Sequence, residues 1–279
     1  MATSLISAEQ LRAHIGQLVL LDARPGAATY AAGHLPTAFH ADLDRDLSTA
    51  LAPGHDPAHG GRHPLPSAEA FAALLGAWGI SASTDVVVYD AAQGANAAAR
   101  AWWMLRALGH ARVRVLDGGL PQALAIGLSL DTDVPRTAPT APYPQRSWSG
   151  ATAAADMVDA RRMDPEWSVL DVRSGERYRG EVEPFDPSAG HIPGAKNLPL
   201  AENLEPDGRF KSPAALRAQY LKLLGNRDPS RLIVHCGSGV TACHSLLALE
   251  IAGLSGAALY VGSWSEWCRS GRQQAKGLG

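Results

Sequence analysis

The chain has 279 residues, a length that exceeds one typical hydrophobic core and suits two domains of ordinary size. Hydrophobic residues make up 46% of the sequence and charged residues 19%, which is typical of a soluble globular protein. With 25 basic and 27 acidic side chains the net charge is −2, so the chain has neither the basic surface of a nucleic-acid-binding protein nor an acidic tail.

Predicted strands and helices alternate along the first half of the chain. Ser7, with Gln10 three residues later, is typical of a capping box and predicts a first helix. Ser67 predicts the cap of a helix that runs to Trp78. An Ala-rich stretch predicts a further helix from about Asn96 to Leu108. Apolar runs predict strands at 18–21, which ends at Asp22, at 86–89, which ends at Asp90, and at 113–116, which leads to Gly118-Gly119.

A proline-rich stretch over residues 131–150 separates the two halves of the chain. Its prolines are Pro135, Pro139, Pro142 and Pro144. Together with the Ser and Thr residues around them, they are typical of a linker. We therefore predict an N-terminal domain over 1–135, a linker over 136–150 and a C-terminal domain over 151–279.

The second half repeats the landmarks of the first half in the same order and at a nearly constant offset. The matched pairs are Asp22-Ala-Arg24 with Asp171-Val-Arg173, 33–38 with 190–195, 86–89 with 232–235, and Gly118 with Gly262. Such a repeat indicates a duplicated domain. Because strands alternate with helices, each half is predicted to have an α/β fold, in which helices flank a parallel sheet.

Residues 232–244 carry the strongest functional pattern. A short apolar strand is followed by Cys236, by the small-residue loop Gly237-Ser238-Gly239 and then by an apolar helix pattern. The glycines allow backbone conformations that a Cβ would forbid, so the loop can direct several N–H groups to one point near a helix N-terminus. A cysteine at that point is favoured as the thiolate, and we predict that Cys236 is a nucleophile rather than an inert core residue.

The repeat also indicates which half of the chain is catalytic. Cys236 aligns with Asp90, so the nucleophile is present only in the C-terminal half. The N-terminal half is then expected to be catalytically silent and to serve as a structural and substrate-lining partner. Ligands of open α/β sheets bind at the carboxyl ends of the strands, where Cys236 is predicted to lie.

Three motifs together are highly specific for one family. They are Gly190-His-Ile-Pro-Gly-Ala195, Cys236-Gly-Ser-Gly-Val-Thr241 and Gly262-Ser-Trp-Ser-Glu-Trp267. With them the chain resembles the tandem-domain rhodanese-type sulfurtransferases over nearly its whole length. The resemblance implies two rhodanese domains and a cysteine that becomes a persulfide. The N–H groups of the loop would cradle that persulfide; its residues are Gly237, Ser238, Gly239, Val240 and Thr241.

The cysteine loop is similar to that of 3-mercaptopyruvate sulfurtransferases, since thiosulfate sulfurtransferases typically carry Arg-Lys where this chain has Gly237-Ser238. Thiosulfate is a dianion and favours cationic side chains beside the sulfur, whereas the side chains of this loop are neutral. A mercaptopyruvate donor leaves as an enolate, which needs a proton and a nearby hydroxyl. Ser238 can supply that hydroxyl, and the resemblance implies that it acts together with His63 and Asp44.

A donor carboxylate requires a cation, preferably a bidentate arginine. The resemblance assigns this role to Arg177, with Arg179 as a second candidate. In an extended segment these two side chains would point to opposite faces, so only one of them would reach the site. Mercaptopyruvate enzymes usually carry another arginine after a Glu-Pro pair, where this chain has Phe185. That difference leaves thiosulfate open as an alternative donor.

The predicted mechanism is a two-step sulfur transfer without a metal or cofactor. Cys236 attacks the sulfur of a small-molecule donor, and the persulfide then passes its outer sulfur to a thiol, a thioredoxin-like protein or cyanide. A cysteine phosphatase is excluded because Ala242 stands where that class needs an arginine six residues after the cysteine. A persulfide carrier or redox-sensing module remains the non-enzyme alternative.

The other features indicate a cytoplasmic monomer. The three cysteines are odd in number, which is not a disulfide framework and suits a reducing compartment. Cys243 is predicted to face the core, Cys268 to lie near the Trp-rich C-terminal segment, and Trp102-Trp103 to serve packing. We see no secretory signal and no apolar run of membrane-spanning length. Because the two halves can cover each other, we expect no further subunit.

Overall fold

The computed structural model describes residues 3–94, 97–136, 140–141, 143–144 and 147–278. The chain divides into two compact units. The first unit comprises Met1–Thr49, Pro66–Gly150 and Pro206–Arg209, and the second comprises Ala50–Leu65, Ala151–Glu205 and Phe210–Gly279. Residues 50–65 precede the predicted linker, and the sequence analysis places them in the N-terminal domain. In the structure they fold with the C-terminal half. Asn96, at the predicted helix start, and Pro139 and Pro142 of the linker lie outside the described residues.

The first unit is built on one five-stranded parallel sheet. Its strands are β1 (Leu5–Ile6), β2 (Val19–Asp22), β3 (Phe39–His40), β4 (Val86–Tyr89) and β5 (Val113–Leu116), in the order β1-β5-β4-β2-β3. Its helices are α1 (Ala8–His14), α2 (Ala27–Ala31), α3 (Ala68–Ala77), α4 (Ala97–Ala107) and α5 (Gly119–Ala125), with a 3-10 turn at Ile15–Gln17.

The second unit repeats this sheet. Its strands are β6 (Thr152–Ala153), β7 (Ser168–Asp171), β8 (Lys196–Asn197), β9 (Leu232–His235) and β10 (Ala258–Tyr260), in the order β6-β10-β9-β7-β8. Its helices are α6 (Ala155–Arg161), α7 (Gly175–Arg179), α8 (Pro213–Leu224), α9 (Ala242–Ile251) and α10 (Ser263–Trp267), with 3-10 turns at Leu200–Asn203 and Pro229–Arg231. The strand order matches that of the first unit position by position, which confirms the α/β fold predicted for each half.

Local signals in the sequence account for several of these elements. Ser7 and Gln10 form the predicted capping box of α1, in which each side chain bonds the other residue's backbone N–H. Ser67 Oγ accepts the N–H of Ala70 at the start of α3. The central strands β4 and β9 are completely buried, as expected when helices cover both faces of a parallel sheet.

The repeated Asp-x-Arg motif fixes the carboxyl edge of each sheet. Arg173 bonds Asp171 (Nη2 to Oδ2, 2.6 Å) and the carbonyl of Gly190 (2.7 Å). In the first unit Arg24 makes the same pair of bonds to Asp22 and the carbonyl of Gly33. The ion pair therefore ties the strand end to the Gly-His turn in both units, which explains why both motifs recur together in the sequence.

Each sheet contributes to a core of its own. In the second unit Val169 and Ile233 of the sheet pack with Trp264 and Trp267 of α10. In the first unit Leu20 and Val87 pack with residues of α1 and α5. Among the described residues, no helix is both long and apolar enough to cross a membrane.

Candidate active site

Cys236 lies at the carboxyl end of the central strand of the second unit, directly after β9. Its side chain is a free thiol, and the residue is 1% exposed. The backbone N–H of Cys236 donates to Ser263 Oγ (3.1 Å), and its carbonyl accepts the N–H of Trp264 (3.0 Å). Ser263 has a φ of +53°, a conformation that a non-glycine residue adopts only at a cost. The start of α10 thus holds the backbone of Cys236 in place.

The loop after Cys236 depends on Gly239. This residue has a φ of +72°, and a Cβ added to it would lie 2.2 Å from the carbonyl oxygen of Val261. Only glycine fits both requirements. Among the described residues, the N–H groups of Gly237, Ser238 and Val240 donate to no acceptor. These donors follow Cys236 in the chain, in the small-residue loop that leads into α9.

Ser238 and His63 are 175 residues apart in the sequence and are in hydrogen-bond contact. His63 Nδ1 lies 2.8 Å from Ser238 Oγ, and Ser238 is 7% exposed. The segment that carries His63 is fixed against α10, because the N–H of Arg62 donates to Ser265 Oγ (3.0 Å). A Cβ on Gly61, which has a φ of +79°, would lie 2.4 Å from the carbonyl oxygen of Gly262, so glycine permits this close approach.

Arg177 lies beside the cysteine loop and is held by a buried carboxylate. Its guanidinium makes a bidentate contact with Glu183 (Nη2 to Oε1, 2.7 Å; Nε to Oε2, 3.2 Å). Glu183 also accepts from Arg173 Nη1 (3.2 Å). Burial by itself lowers the pKa of Arg173, but the charge of Asp171 and its hydrogen bonds outweigh burial, and the pKa is raised. Arg173 therefore stays charged and neutralises the carboxylates around it.

Arg179 has a different environment from Arg177. Its Nε bonds Glu181 Oε1 (2.6 Å) in an ion pair whose glutamate is largely exposed. The extended backbone considered for this segment is wrong, because residues Gly175–Arg179 form helix α7, which ends at Gly180 in the left-handed conformation. Residues two apart on a helix still differ by about 200° in direction, so the two arginines diverge as expected.

Arg62 is a site residue that the sequence reasoning missed. Its Nη1 is ion-paired with Asp186, and Asp186 Oδ1 also accepts from Arg269 Nη1 (2.8 Å). A Cβ placed on Gly237 would lie 3.3 Å from Arg62 Nη2 and 3.2 Å from Arg177 Nη2. The available signal was the position of Arg62 directly before His63, but nothing in the spacing indicates its proximity to the cysteine loop.

Asp44 belongs to the first unit. Its backbone N–H donates to Asp42 Oδ1 (3.0 Å), and its carbonyl oxygen accepts from Ser48 Oγ (3.4 Å). The carboxylate therefore lies on a short hydrogen-bonded turn after β3. Its role with Ser238 and His63 stays a prediction.

Asp90 accepts hydrogen bonds from the loop of the first unit that corresponds to the cysteine loop. Its Oδ1 accepts the N–H groups of Ala92 (2.8 Å) and Gly94 (2.9 Å), and its Oδ2 accepts that of Ala98 (3.1 Å). Asp90 is completely buried. The Asp90 side chain thus accepts these three N–H groups at the position where the second unit has Cys236.

Three further buried groups near the site have surroundings that indicate a structural role. Cys243 is buried in α9, and its Sγ contacts the carbonyl of Gly239 (3.5 Å). Burial raises the pKa of Cys268, which disfavours its thiolate. His235 is completely buried 3.8 Å from Asp171, and burial lowers its pKa, so its ring is neutral near pH 7.

Comparison with known proteins places this site in a family. Residues 7–125 and 154–270 each match the Rhodanese-like domain family, and the chain therefore belongs to it as a tandem-domain sulfurtransferase. The chain is 42% identical to a Pseudomonas aeruginosa protein provisionally named 3-mercaptopyruvate sulfurtransferase, over 98% of this chain and 97% of that one. It is 41% identical to a Mycobacterium tuberculosis protein provisionally named thiosulfate sulfurtransferase, over 88% and 84%.

A solved structure agrees with these sequence relationships. The 3-mercaptopyruvate sulfurtransferase from Leishmania major superposes with a TM-score of 0.81 at 29% identity, over 95% of this chain and 74% of that one. The structural likeness therefore spans both rhodanese-like domains.

Proposed function

We propose that this sulfurtransferase takes sulfur from 3-mercaptopyruvate onto Cys236 and passes it to a thiophilic acceptor. The observation that carries the proposal is the hydrogen bond between His63 Nδ1 and Ser238 Oγ (2.8 Å), two residues beyond the nucleophile. The leaving group of mercaptopyruvate is a carbon anion that must be protonated, whereas sulfite leaves thiosulfate as a stable anion. A hydroxyl paired with a histidine therefore favours the first donor.

In the first half-reaction the Cys236 thiolate attacks the thiol sulfur of the donor. A sulfur–sulfur bond forms and the carbon–sulfur bond breaks, so that its electron pair becomes the enolate of pyruvate. Ser238 donates a proton to the developing enolate, and His63 returns a proton to Ser238. The products are pyruvate and the Cys236 persulfide. The N–H groups of Gly237, Ser238 and Val240 stabilise the charge on sulfur.

In the second half-reaction the acceptor attacks the outer sulfur of the persulfide. The new bond forms between that sulfur and the acceptor, the sulfur–sulfur bond breaks, and Cys236 returns as the thiolate. A thiol, a thioredoxin-like protein and cyanide are all nucleophiles of the required type. Because the persulfide connects the two half-reactions, the kinetics are expected to be ping-pong.

Of the two arginines predicted to bind the donor, Arg177 has the better position. It lies against Gly237, and Glu183 fixes its orientation through two oxygens. A guanidinium fixed in this way can bind a carboxylate with its remaining N–H groups. Arg179 pairs with Glu181 instead, so its contribution is expected to be small.

A thiosulfate donor is the second candidate, and one observation favours it. The loop side chains are neutral, but Arg177 and Arg62 both place guanidinium groups against the loop at Gly237. The cationic surroundings that a dianion requires are therefore supplied from outside the loop. The Mycobacterium tuberculosis relative is consistent with this donor.

The test is a steady-state assay with cyanide as acceptor and each of the two donors in turn. We expect kcat/KM for 3-mercaptopyruvate to exceed that for thiosulfate by at least about tenfold, because only the first donor uses the hydroxyl–histidine pair. Mass spectrometry of the donor-treated enzyme should find the additional sulfur on Cys236. A preference for thiosulfate would replace the proposed donor, and turnover by Cys236→Ser at the wild-type rate would refute the mechanism.

A further inference from the structure

We propose that the loop over residues 181–188 carries the docking surface for a protein acceptor of the persulfide sulfur, a reduced thioredoxin-like dithiol protein. The surface is an apolar ridge formed by Val182, Pro184 and Phe185. The inference deepens the proposed function, on which it rests for the presence of a persulfide on Cys236. The length, the anchoring, the exposure and the position of the 181–188 loop support it.

The second unit has a longer connection than the first unit between the Asp-x-Arg motif and the Gly-His turn. Arg173 lies 17 residues before the glycine whose carbonyl it binds, Gly190. Arg24 lies 9 residues before its glycine, Gly33, so the second unit has 8 additional residues. The helices in the two connections, α7 and α2, have five residues each, and the additional residues therefore follow α7. The first unit closes the same contact without them, which indicates that the fold itself does not require the 181–188 loop.

Buried polar contacts hold the 181–188 loop on both sides of Phe185. The side chain of Glu183 is 2% exposed and binds two arginines. The side chain of Asp186 is completely buried and binds two others. The carbonyl of Ser188 accepts the Nε1–H of Trp264 (2.9 Å). A loop that is fixed in this way loses little conformational freedom when it binds a partner, which favours affinity.

The apolar side chains of the 181–188 loop are exposed, whereas its two anchoring carboxylates are buried. Phe185 is 63% exposed and Val182 is 45% exposed, and Pro184 between them is exposed as well. A single exposed apolar residue is ordinary on a protein surface, but neighbouring ones around an aromatic anchor are typical of an interaction site. The apolar ridge therefore indicates a surface that a partner covers.

The apolar ridge lies one guanidinium away from the cysteine loop. The ring of Phe185 lies 5.2 Å from the guanidinium carbon of Arg177, and Arg177 Nη2 would lie 3.2 Å from a Cβ on Gly237. Gly237 directly follows Cys236, which is 1% exposed. A protein thiol that reaches this sulfur must bring its own surface against the surroundings of the loop. Cyanide and small thiols need no such contact.

The charges beside the apolar ridge favour an acceptor that approaches as an anion. The guanidinium carbon of Arg62 also lies 5.3 Å from the Phe185 ring, and the Arg62 and Arg177 side chains are 23% and 19% exposed. After pyruvate has left, these cations can attract the attacking thiolate and carboxylates near it. The chemistry that fits is therefore a dithiol on an apolar face with carboxylates at its edge.

The transfer balances with the dithiol as the reductant. One thiolate of the acceptor attacks the outer sulfur of the persulfide, a new sulfur–sulfur bond forms, and the broken bond leaves its electron pair on Cys236. The second thiol loses its proton, attacks the acceptor's own sulfur in the new bond and releases hydrosulfide. The dithiol is thereby oxidised by two electrons to a disulfide, and the transferred sulfur is reduced to sulfide.

The test compares two acceptors on enzyme that has been loaded with sulfur and freed of donor. Reduced thioredoxin and cyanide discharge the persulfide in separate single-turnover reactions, and the ratio of the two rate constants is measured. We expect Phe185→Ala to lower the thioredoxin-to-cyanide ratio about tenfold to thirtyfold, because the interface loses its aromatic anchor, and Val182→Ser to lower it about threefold. The control, Met163→Ala, removes an apolar side chain that is 69% exposed in the same unit and should keep the wild-type ratio.

An unchanged ratio in Phe185→Ala would overturn the proposal. This includes the case in which both acceptors slow equally because the variant disturbs the neighbouring arginines. Failure of reduced thioredoxin to discharge the wild-type persulfide would also overturn it. A second copy of this chain is the alternative occupant of the apolar ridge. If sedimentation velocity finds a dimer that Phe185→Ala dissociates, the ridge serves self-association and the docking of an acceptor is wrong.

Two measurements separate this proposal from the proposed function. Turnover of 3-mercaptopyruvate with cyanide tests the function without the apolar ridge, and if that donor fails, thiosulfate loads the enzyme for the same ratio. Titration calorimetry of the unloaded enzyme with reduced thioredoxin tests the ridge even when neither donor loads Cys236. Phe185→Ala should weaken that binding about tenfold, and equal dissociation constants for the wild type and the variant would refute the docking surface.

Discussion

The substitution Ser238→Ala isolates the proton-transfer step from the rest of the reaction. It removes one hydroxyl from a side chain that is 7% exposed and breaks the 2.8 Å contact with His63. The backbone N–H of residue 238 and the two glycines around it are retained. The cradle of N–H groups around the persulfide should therefore survive, and only the protonation of the departing enolate should suffer.

The expected magnitude follows from the role of the hydroxyl. A positioned general acid or base contributes about 10² to 10⁴ in rate. His63 is only half-buried, so a water can partly replace the missing hydroxyl, and the lower half of the range applies. We expect a loss of about 10² to 10³ in the rate of pyruvate formation, which corresponds to about 3 to 4 kcal/mol in activation free energy.

The assay measures the two half-reactions separately. Pyruvate release in a single turnover reports the first, and discharge of the preformed persulfide by cyanide reports the second. Ser238→Ala should slow the first and leave the second within a factor of about three. The control is Ser230→Ala, which removes an exposed hydroxyl from the same unit. Equal slowing of both half-reactions, or slowing of neither, would refute the assignment of Ser238 to protonation.

Three further predictions concern the groups around the two loops. Glu183→Gln should raise KM for 3-mercaptopyruvate about tenfold with little change in kcat, because the bidentate anchor of Arg177 loses its charge; steady-state kinetics with an unaltered KM would contradict this. Asp90→Asn should lower the free energy of unfolding by about 1 to 3 kcal/mol, because the three backbone N–H groups are shared between two carboxyl oxygens and an amide offers only one; a urea midpoint equal to that of the wild type would refute it. Stability should fall as the pH drops below about 6.5, because burial lowers the pKa of folded His235, so that the unfolded chain binds more protons there. His235→Asn should reduce that slope, and an identical slope in thermal unfolding across this pH range would exclude His235 as its source.

Local and repeated patterns made much of the fold predictable. The strand 86–89, the cap at Ser67 and the capping box at Ser7 depend on residues within a few positions of each other, where spacing alone carries the signal. The duplicated order of strands followed from a repeat that is visible in the sequence. The extended backbone considered around Arg177 was wrong because a five-residue helix between loops leaves too short a pattern to detect.

The candidate site was only partly predictable. Cys236 and the glycine loop stand out because strand, loop and helix are contiguous. The pairing of Ser238 with His63 came from the family resemblance and not from spacing, since 175 residues separate them. Arg62 was not predicted to lie beside the cysteine loop. The neutral side chains of that loop were therefore given too much weight in the choice between mercaptopyruvate and thiosulfate as donor. A charge brought to a site by another segment has no signature in the local sequence.

The sequence by itself determined the α/β class and the duplicated domain, because each depends on residue type and short spacing. It also predicted that Cys236 is the nucleophile and that Asp90 is its silent counterpart. The tertiary structure alone decided that residues 50–65 fold with the C-terminal half. It also decided that the carboxylates Glu183 and Asp186 orient two guanidinium groups, those of Arg177 and Arg62, against Gly237. Ion pairs between distant segments form where packing brings charges together, and their geometry is set by the fold rather than by the order of residues along the chain.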